Sequence, residues 1–190
     1  TSATIPSITN FGTLTNEVKY TVPSNYAVAE YINGTLEILK RRIIVSTETD
    51  EKVYDGAALS NSGYKTVWEK DETKSGLLNG DELTLFKPAE IREVGGPTLN
   101  NCEYYEPNDN YEIASYRYGT LTIKPRPIMV ITPDASKTYD GIALSKNFGY
   151  TVKFAVYDKE QAQWLADDSE VGLISTDTLV CTFTAEITDV

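Results

Sequence analysis

Apolar and polar positions alternate most clearly in two short segments. In "NYEIASY", residues 110–116, Tyr111, Ile113 and Ser115 share one face, and in "GTLTI", residues 119–123, Leu121 and Ile123 share another. A period of two is the pattern of a half-buried strand. Runs of the same kind predict strands over 43–48, 63–69, 81–87, 89–94, 101–106, 110–116 and 119–124. Asp-Gly, Asn-Gly and Gly-Gly-Pro signals separate them. The only stretch with helical character is "DKEQAQWLAD", 158–167, which has room for two or three turns. Many short strands without crossover helices predict an all-β protein of antiparallel β-sandwich modules. Seven strands in one module suit an immunoglobulin-like architecture, although the Cys…Trp…Cys hallmark of antibody domains is missing. A β-grasp-like module is the alternative.

The pattern repeats. "NYAVAEYINGTLEI" begins at Asn25 and "NYEIASYRYGTLTI" at Asn110, an offset of 85 residues; "KVYDGAAL" at 52–59 and "KTYDGIAL" at 137–144 keep the same offset. Self-similarity at a fixed period marks a tandem array of supersecondary units. Beyond the Tyr-Asp-Gly phrase the copies drift: "GDELTLFKPAEIREV" (80–94) answers "TDTLVCTFTAEITDV" (176–190) at offset 96, so the second copy carries an insertion around Trp164. Insertions of this kind map to exposed loops.

The joints between units are expected at "KRRII" and "KPRPI", where Pro125 and Pro127 favour a stiff extended connector. On that phase residues 1–39 are the C-terminal part of a preceding repeat, 40–124 a complete β module, and 125–190 the N-terminal part of a following one. The rival phase makes 1–94 and 95–190 two modules. Because the chain opens and closes at the same phase of the repeat, it reads as a segment of something longer.

Composition narrows the chemistry. Thirteen Tyr, a single Met and a net charge of −11 describe an acidic, strand-forming chain. The charge argues against nucleic acid and against an anionic membrane surface, both of which need clustered Lys and Arg. With no His and only Cys102 and Cys181, Ser-His and Cys-His catalysis, most zinc sites and a disulfide framework drop out. The two cysteines sit at non-equivalent repeat positions and read as buried thiols.

The order "IIVSTETDEKVYDGAAL … GDELTL … NYAVAEYINGTLEI", with a Lys-Pro-rich connector, resembles the MBG/YDG class of bacterial surface repeats. The resemblance covers nearly the whole chain. It implies tandem extracellular modules of a secreted or wall-anchored adhesin-like protein, used as a stalk or an interaction arm. It brings no catalytic residues with it.

Candidate residues are weighed against this frame. Tyr54-Asp55-Gly56 and Tyr139-Asp140-Gly141 are expected as turns: Asp hydrogen-bonds nearby backbone and Gly supplies a positive φ. A calcium-ligating or general-acid Asp is the competing reading, but a catalytic carboxylate normally needs a second one opposite it. Gly34 and Gly119, in the two "GTL" phrases, are expected to mark a bulge or a close backbone approach. Trp164, in the insertion, is the candidate for stacking on a sugar. No catalytic or metal residue is assigned, and calcium remains the one cofactor the acidity admits, without an EF-hand or Asp-rich nonapeptide spacing. The expected protein is not an enzyme. Its ligand is an unidentified host or matrix protein or glycan, and its incomplete terminal repeats invite self-association. A carbohydrate-binding accessory module of a secreted enzyme is the alternative function.

Overall fold

The structure, a computed structural model, describes residues 5–144, 149–174, 177–180 and 182. They form fourteen strands and no helix. The strands are β1 (Gly12–Asn16), β2 (Gly34–Ile38), β3 (Arg41–Thr47), β4 (Asp50–Val53), β5 (Tyr64–Trp68), β6 (Asp71–Ser75) and β7 (Thr84–Lys87), followed by β8 (Gly95–Leu99), β9 (Glu103–Tyr105), β10 (Tyr111–Arg117), β11 (Thr120–Lys124), β12 (Ile128–Ile131), β13 (Thr151–Asp158) and β14 (Gln163–Val171). They assemble into open sheets: β1-β2, β10-β3-β5-β6, β4-β11-β8, β12-β13-β14 and β7-β9. The chain is all-β, and the layered open sheets are consistent with a β-sandwich.

Two compact units are present. The first comprises Thr1–Glu51, Leu59–Ile91 and Gly96–Thr122; the second comprises Lys52–Ala58, Arg92–Gly95 and Ile123–Val190. The central sheet of the first unit joins distant parts of the chain. Strand β10 runs parallel to β3, with Tyr111 opposite Arg41 and Ile113 opposite Ile43, and a bulge between Ile113 and Ser115. On its other side β3 pairs antiparallel with β5, Ile43 opposite Trp68. Flanked on both edges, β3 buries Ile43, Ile44 and Val45, and the core continues through Leu59, Leu83, Cys102, Tyr104, Tyr111 and Leu121. Full burial of an Ile, Val or Leu side chain contributes roughly 1.5–3 kcal/mol.

In the second unit, β12 pairs with β13 and β13 with β14. Here the helix expected over 158–167 is corrected. The segment is the turn of a long β-hairpin: Asp158 Oδ1 accepts the N–H groups of Glu160 (2.8 Å) and Gln161 (3.1 Å), and Ala162 takes a left-handed φ of 52°. The Asp side chain captures the donors a helix would need, and the left-handed residue reverses the chain. The insertion in the second copy thus lengthens a hairpin that its counterpart β5-β6 makes short.

Other boundaries shift too. Strands form at β4, β6 and β8, where none was expected, because charged residues such as Asp71 and Lys74 are tolerated on an edge strand. Residues 89–94 form no full strand; Leu59 and Ile91 make an isolated bridge there.

Candidate functional site

The two Tyr-Asp-Gly phrases form the same construction. Asp55 Oδ1 accepts the Ala57 N–H at 2.9 Å, and Asp140 Oδ1 accepts the Ile142 N–H at 2.9 Å. Gly56 and Gly141 have φ of 81° and 77°, the left-handed region where a Cβ is strained. A third participant comes from two residues before the Tyr. Lys52 Nζ donates to Asp55 Oδ1 (2.6 Å) and to the carbonyls of Ala57 (2.8 Å) and Ala58 (3.2 Å). Lys137 Nζ does the same to Asp140 Oδ1 (2.7 Å) and to the carbonyls of Ile142 and Ala143. An ammonium has three donors and no acceptor, so each lysine closes its turn with every proton used. The aspartates are occupied by a lysine and a backbone amide, which leaves them poorly placed to serve as general acids.

The lysine hydrogen bond and the backbone N–H hold Asp55 and Asp140 below the ordinary carboxylate range. Asp71 and Asp167 are lowered by the hydroxyl and N–H of Thr73 and Ser169, and Glu72 by the Arg117 guanidinium. A carboxylate with a depressed folded-state pKa contributes stability that is present above its unfolded value, near 4, and is lost as pH falls through the folded value. The melting temperature is therefore expected to hold between pH 5 and 8 and to fall progressively below about pH 4. Circular-dichroism melts across that range test it, and a melting temperature at pH 3 equal to that at pH 6 contradicts it.

A second construction also recurs. Arg41 Nε donates to Gly76 O at 2.7 Å and its Nη2 to Ser75 O at 2.7 Å, while its guanidinium lies 4.5 Å from the Trp68 ring centroid. At offset 85, Arg126 Nε donates to Gly172 O (3.1 Å) and its Nη2 to Val171 O (2.6 Å), with the guanidinium 4.2 Å from the Phe154 ring. The planar fork fits two successive carbonyls while its face stacks on an aromatic ring, a fit that lysine cannot reproduce. These arginines lie in the "KRRII" and "KPRPI" segments expected as joints. Comparing the two copies residue by residue would have singled out both the Lys52/Lys137 and the Arg41/Arg126 pairs.

The "GTL" glycines part company. A Cβ on Gly119 would collide with the Glu48 carbonyl and lie 2.7 Å from Thr47 O, whereas on Gly34 its nearest neighbours are Asn16 atoms at 3.7 and 3.8 Å. Around Gly119 the interior is a polar knot. Its N–H donates to Thr47 Oγ1 (3.0 Å), Thr47 Oγ1 donates to Asn100 O (2.7 Å), and Asn100 N donates to Gly119 O (2.9 Å). Asn100, wholly buried, uses Nδ2 to reach Glu48 O (2.7 Å) and Asn61 O (2.8 Å). Cys102, also buried, accepts the Ala89 N–H and faces Asn100 Oδ1 at 3.2 Å. Cys181 lies outside the described residues. Burial pushes Tyr104, against this cluster, up to about 12.

Trp164 stands on β14 directly opposite Tyr157, ring centroids 5.2 Å apart, and about half of it is exposed. The only sizeable concavity that stands out among the described residues is an open groove of about 560 Å³ lined by Phe11, Lys40, Arg41, Arg42, Trp68 and Lys70. Its cations are largely committed: Arg41 to the carbonyl fork, Arg42 to Glu69 (3.2 Å) and Glu112 (3.6 Å), and Lys40 above the Phe11 ring at 5.0 Å. Among the described residues no cluster of three or more Asp, Glu or Cys is placed to hold a metal ion, and no helix is long and apolar enough to cross a membrane.

Fold and sites together define a class, an all-β chain in which local structural constructions recur at a fixed period. No protein-family model, no curated protein and no solved structure matches the chain.

Proposed function

We propose that this chain is a structural repeat segment of an extracellular bacterial surface protein, of the MBG/YDG type, serving as a stalk or interaction arm and carrying out no catalysis. Its modules are read as immunoglobulin-like sandwiches, with residues 40–124 as the complete one. One observation carries the reading: the lysine-closed turn and the arginine fork recur, atom for atom, one repeat apart. Hydrogen bonds spent on fixing turns and strand ends give each module the same shape, which is what a tandem array needs to project a surface at a distance. The chemistry of a reaction gives no reason to rebuild such features at the repeat period. Proteinase treatment of intact cells of the source organism tests it. Release of fragments recognised by an antibody to this chain is expected; protection in intact cells, with cleavage only after lysis, overturns the reading.

The exposed Tyr157–Trp164 pair favours a second reading, a carbohydrate-binding accessory module, since a half-open indole beside a phenol offers a sugar two apolar faces. On a glycan array this reading requires a signal that is lost in Trp164→Ala while the melting temperature is unchanged.

A further inference from the structure

Strand β12 is the sequence counterpart of β3, and the two have different surroundings. In β3, Ile43, Ile44 and Val45 are buried between β10 and β5. In β12, Val130 and Ile131 are 44% and 38% exposed, and among the described residues no strand pairs with its outer edge. The complementary piece is also on the chain. Tyr26–Ile32 is the counterpart of β10, yet it forms no strand, and Tyr26, Val28, Tyr31 and Ile32 are 75%, 47%, 42% and 79% exposed. One segment is a β3 without its β10, and the other is a β10 without its β3.

We propose that the outer edge of β12 takes up Tyr26–Ile32 of a second copy of this chain as a parallel strand, joining copies head to tail. The register is read from the parallel pair already present: Ile113 lies opposite Ile43 and Tyr116 opposite Val45. At offset 85 this sets Val28 opposite Ile128 and Tyr31 opposite Val130. The edge has the hydrogen-bonding groups to accept it. Ala155 N donates to Pro127 O at 3.1 Å, so Pro127 faces β13, and antiparallel alternation turns Met129 toward β13 as well. The backbone groups of Arg126, Ile128 and Val130 therefore point outward. The template agrees, since Arg41 N donates to Asn110 O at 2.8 Å on the β10 side. Both prolines thus leave the open edge intact, and strand addition covers four exposed apolar side chains on the incoming segment. The same patch is used at one end and a different one at the other, so the contact is heterologous and propagates. The proposal is independent of where the protein resides and of what it binds.

Two experiments decide it. In sedimentation velocity over a concentration series, the chain is expected to associate. Val130→Pro removes one outward N–H while sparing the β13 ladder, and it is expected to be monomeric with an unchanged melting temperature. Register is read by crosslinking in a Cys181→Ser background: an oxidised mixture of Val28→Cys and Ile128→Cys proteins is expected to give a disulfide-linked heterodimer, and Val28→Cys with Ile131→Cys is expected not to. A chain that stays monomeric at all concentrations overturns the proposal, as does association equal in Val130→Pro or equal crosslinking in both mixtures.

Discussion

Gly119→Ala is expected to destabilise the protein by about 3 kcal/mol, the upper end of what overpacking a fixed interior costs. The added methyl would meet Glu48 O and sit 2.7 Å from Thr47 O, both main-chain atoms. A flexible side chain could move aside, but these carbonyls belong to the end of β3 and the turn after it. Gly119 cannot retreat either, being tied by its N–H to Thr47 Oγ1 and by its C=O to Asn100 N. The control is the same substitution at the repeat-equivalent Gly34, where the nearest atoms stand at 3.7 Å; it is expected to shift stability by no more than about 0.5 kcal/mol. Urea unfolding midpoints compare the two, and equal midpoints would show that Gly119 is not sterically special.

Asn100→Ala is expected to cost a similar amount, about 3 kcal/mol, by a different mechanism. The side chain is wholly buried and satisfies two main-chain carbonyls, Glu48 O and Asn61 O, and accepts from Cys102. Truncation leaves those carbonyls without a donor, and each unsatisfied interior group costs about 1–3 kcal/mol. Hydrogen bonding, not packing volume, sets the loss, so Asn100→Leu is expected to rescue none of it. Because Asn100 and Gly119 share one network, the double variant is expected to lose less than the sum of the singles. Strict additivity in chemical denaturation would mean that the two residues act independently.

Much of the fold was legible because its signals are local. Alternation in "NYEIASY" and "GTLTI" located β10 and β11 to within a residue or so, and the turn chemistry of Asp55-Gly56 and Asp140-Gly141 is contained in four or five residues. The failures have physical causes as well. "DKEQAQWLAD" has the composition of a helix, but Asp158 captures the first free amides and Val156 and Tyr157 find cross-strand partners in Leu165 and Trp164. Strand β6 was missed because "DETKS" has no apolar face, and as an edge strand it needs none. Asn100 carried no mark at all: an asparagine in a Thr-Leu-Asn-Asn run looks like loop chemistry until its carbonyl partners close around it.

By itself the sequence determined the all-β class, the 85-residue period and the Tyr-Asp-Gly turns, because each rests on side chains acting on their own neighbourhood. Tertiary structure decided the long-range matters. It made β10 the parallel partner of β3, separated Gly119 from Gly34, and turned two connector arginines into forks that grip Ser75–Gly76 and Val171–Gly172. The reason is common to all three. A copied sequence carries the same propensities wherever it occurs, but a strand pair, a steric limit or a carbonyl fork exists only where the distant partner is in reach.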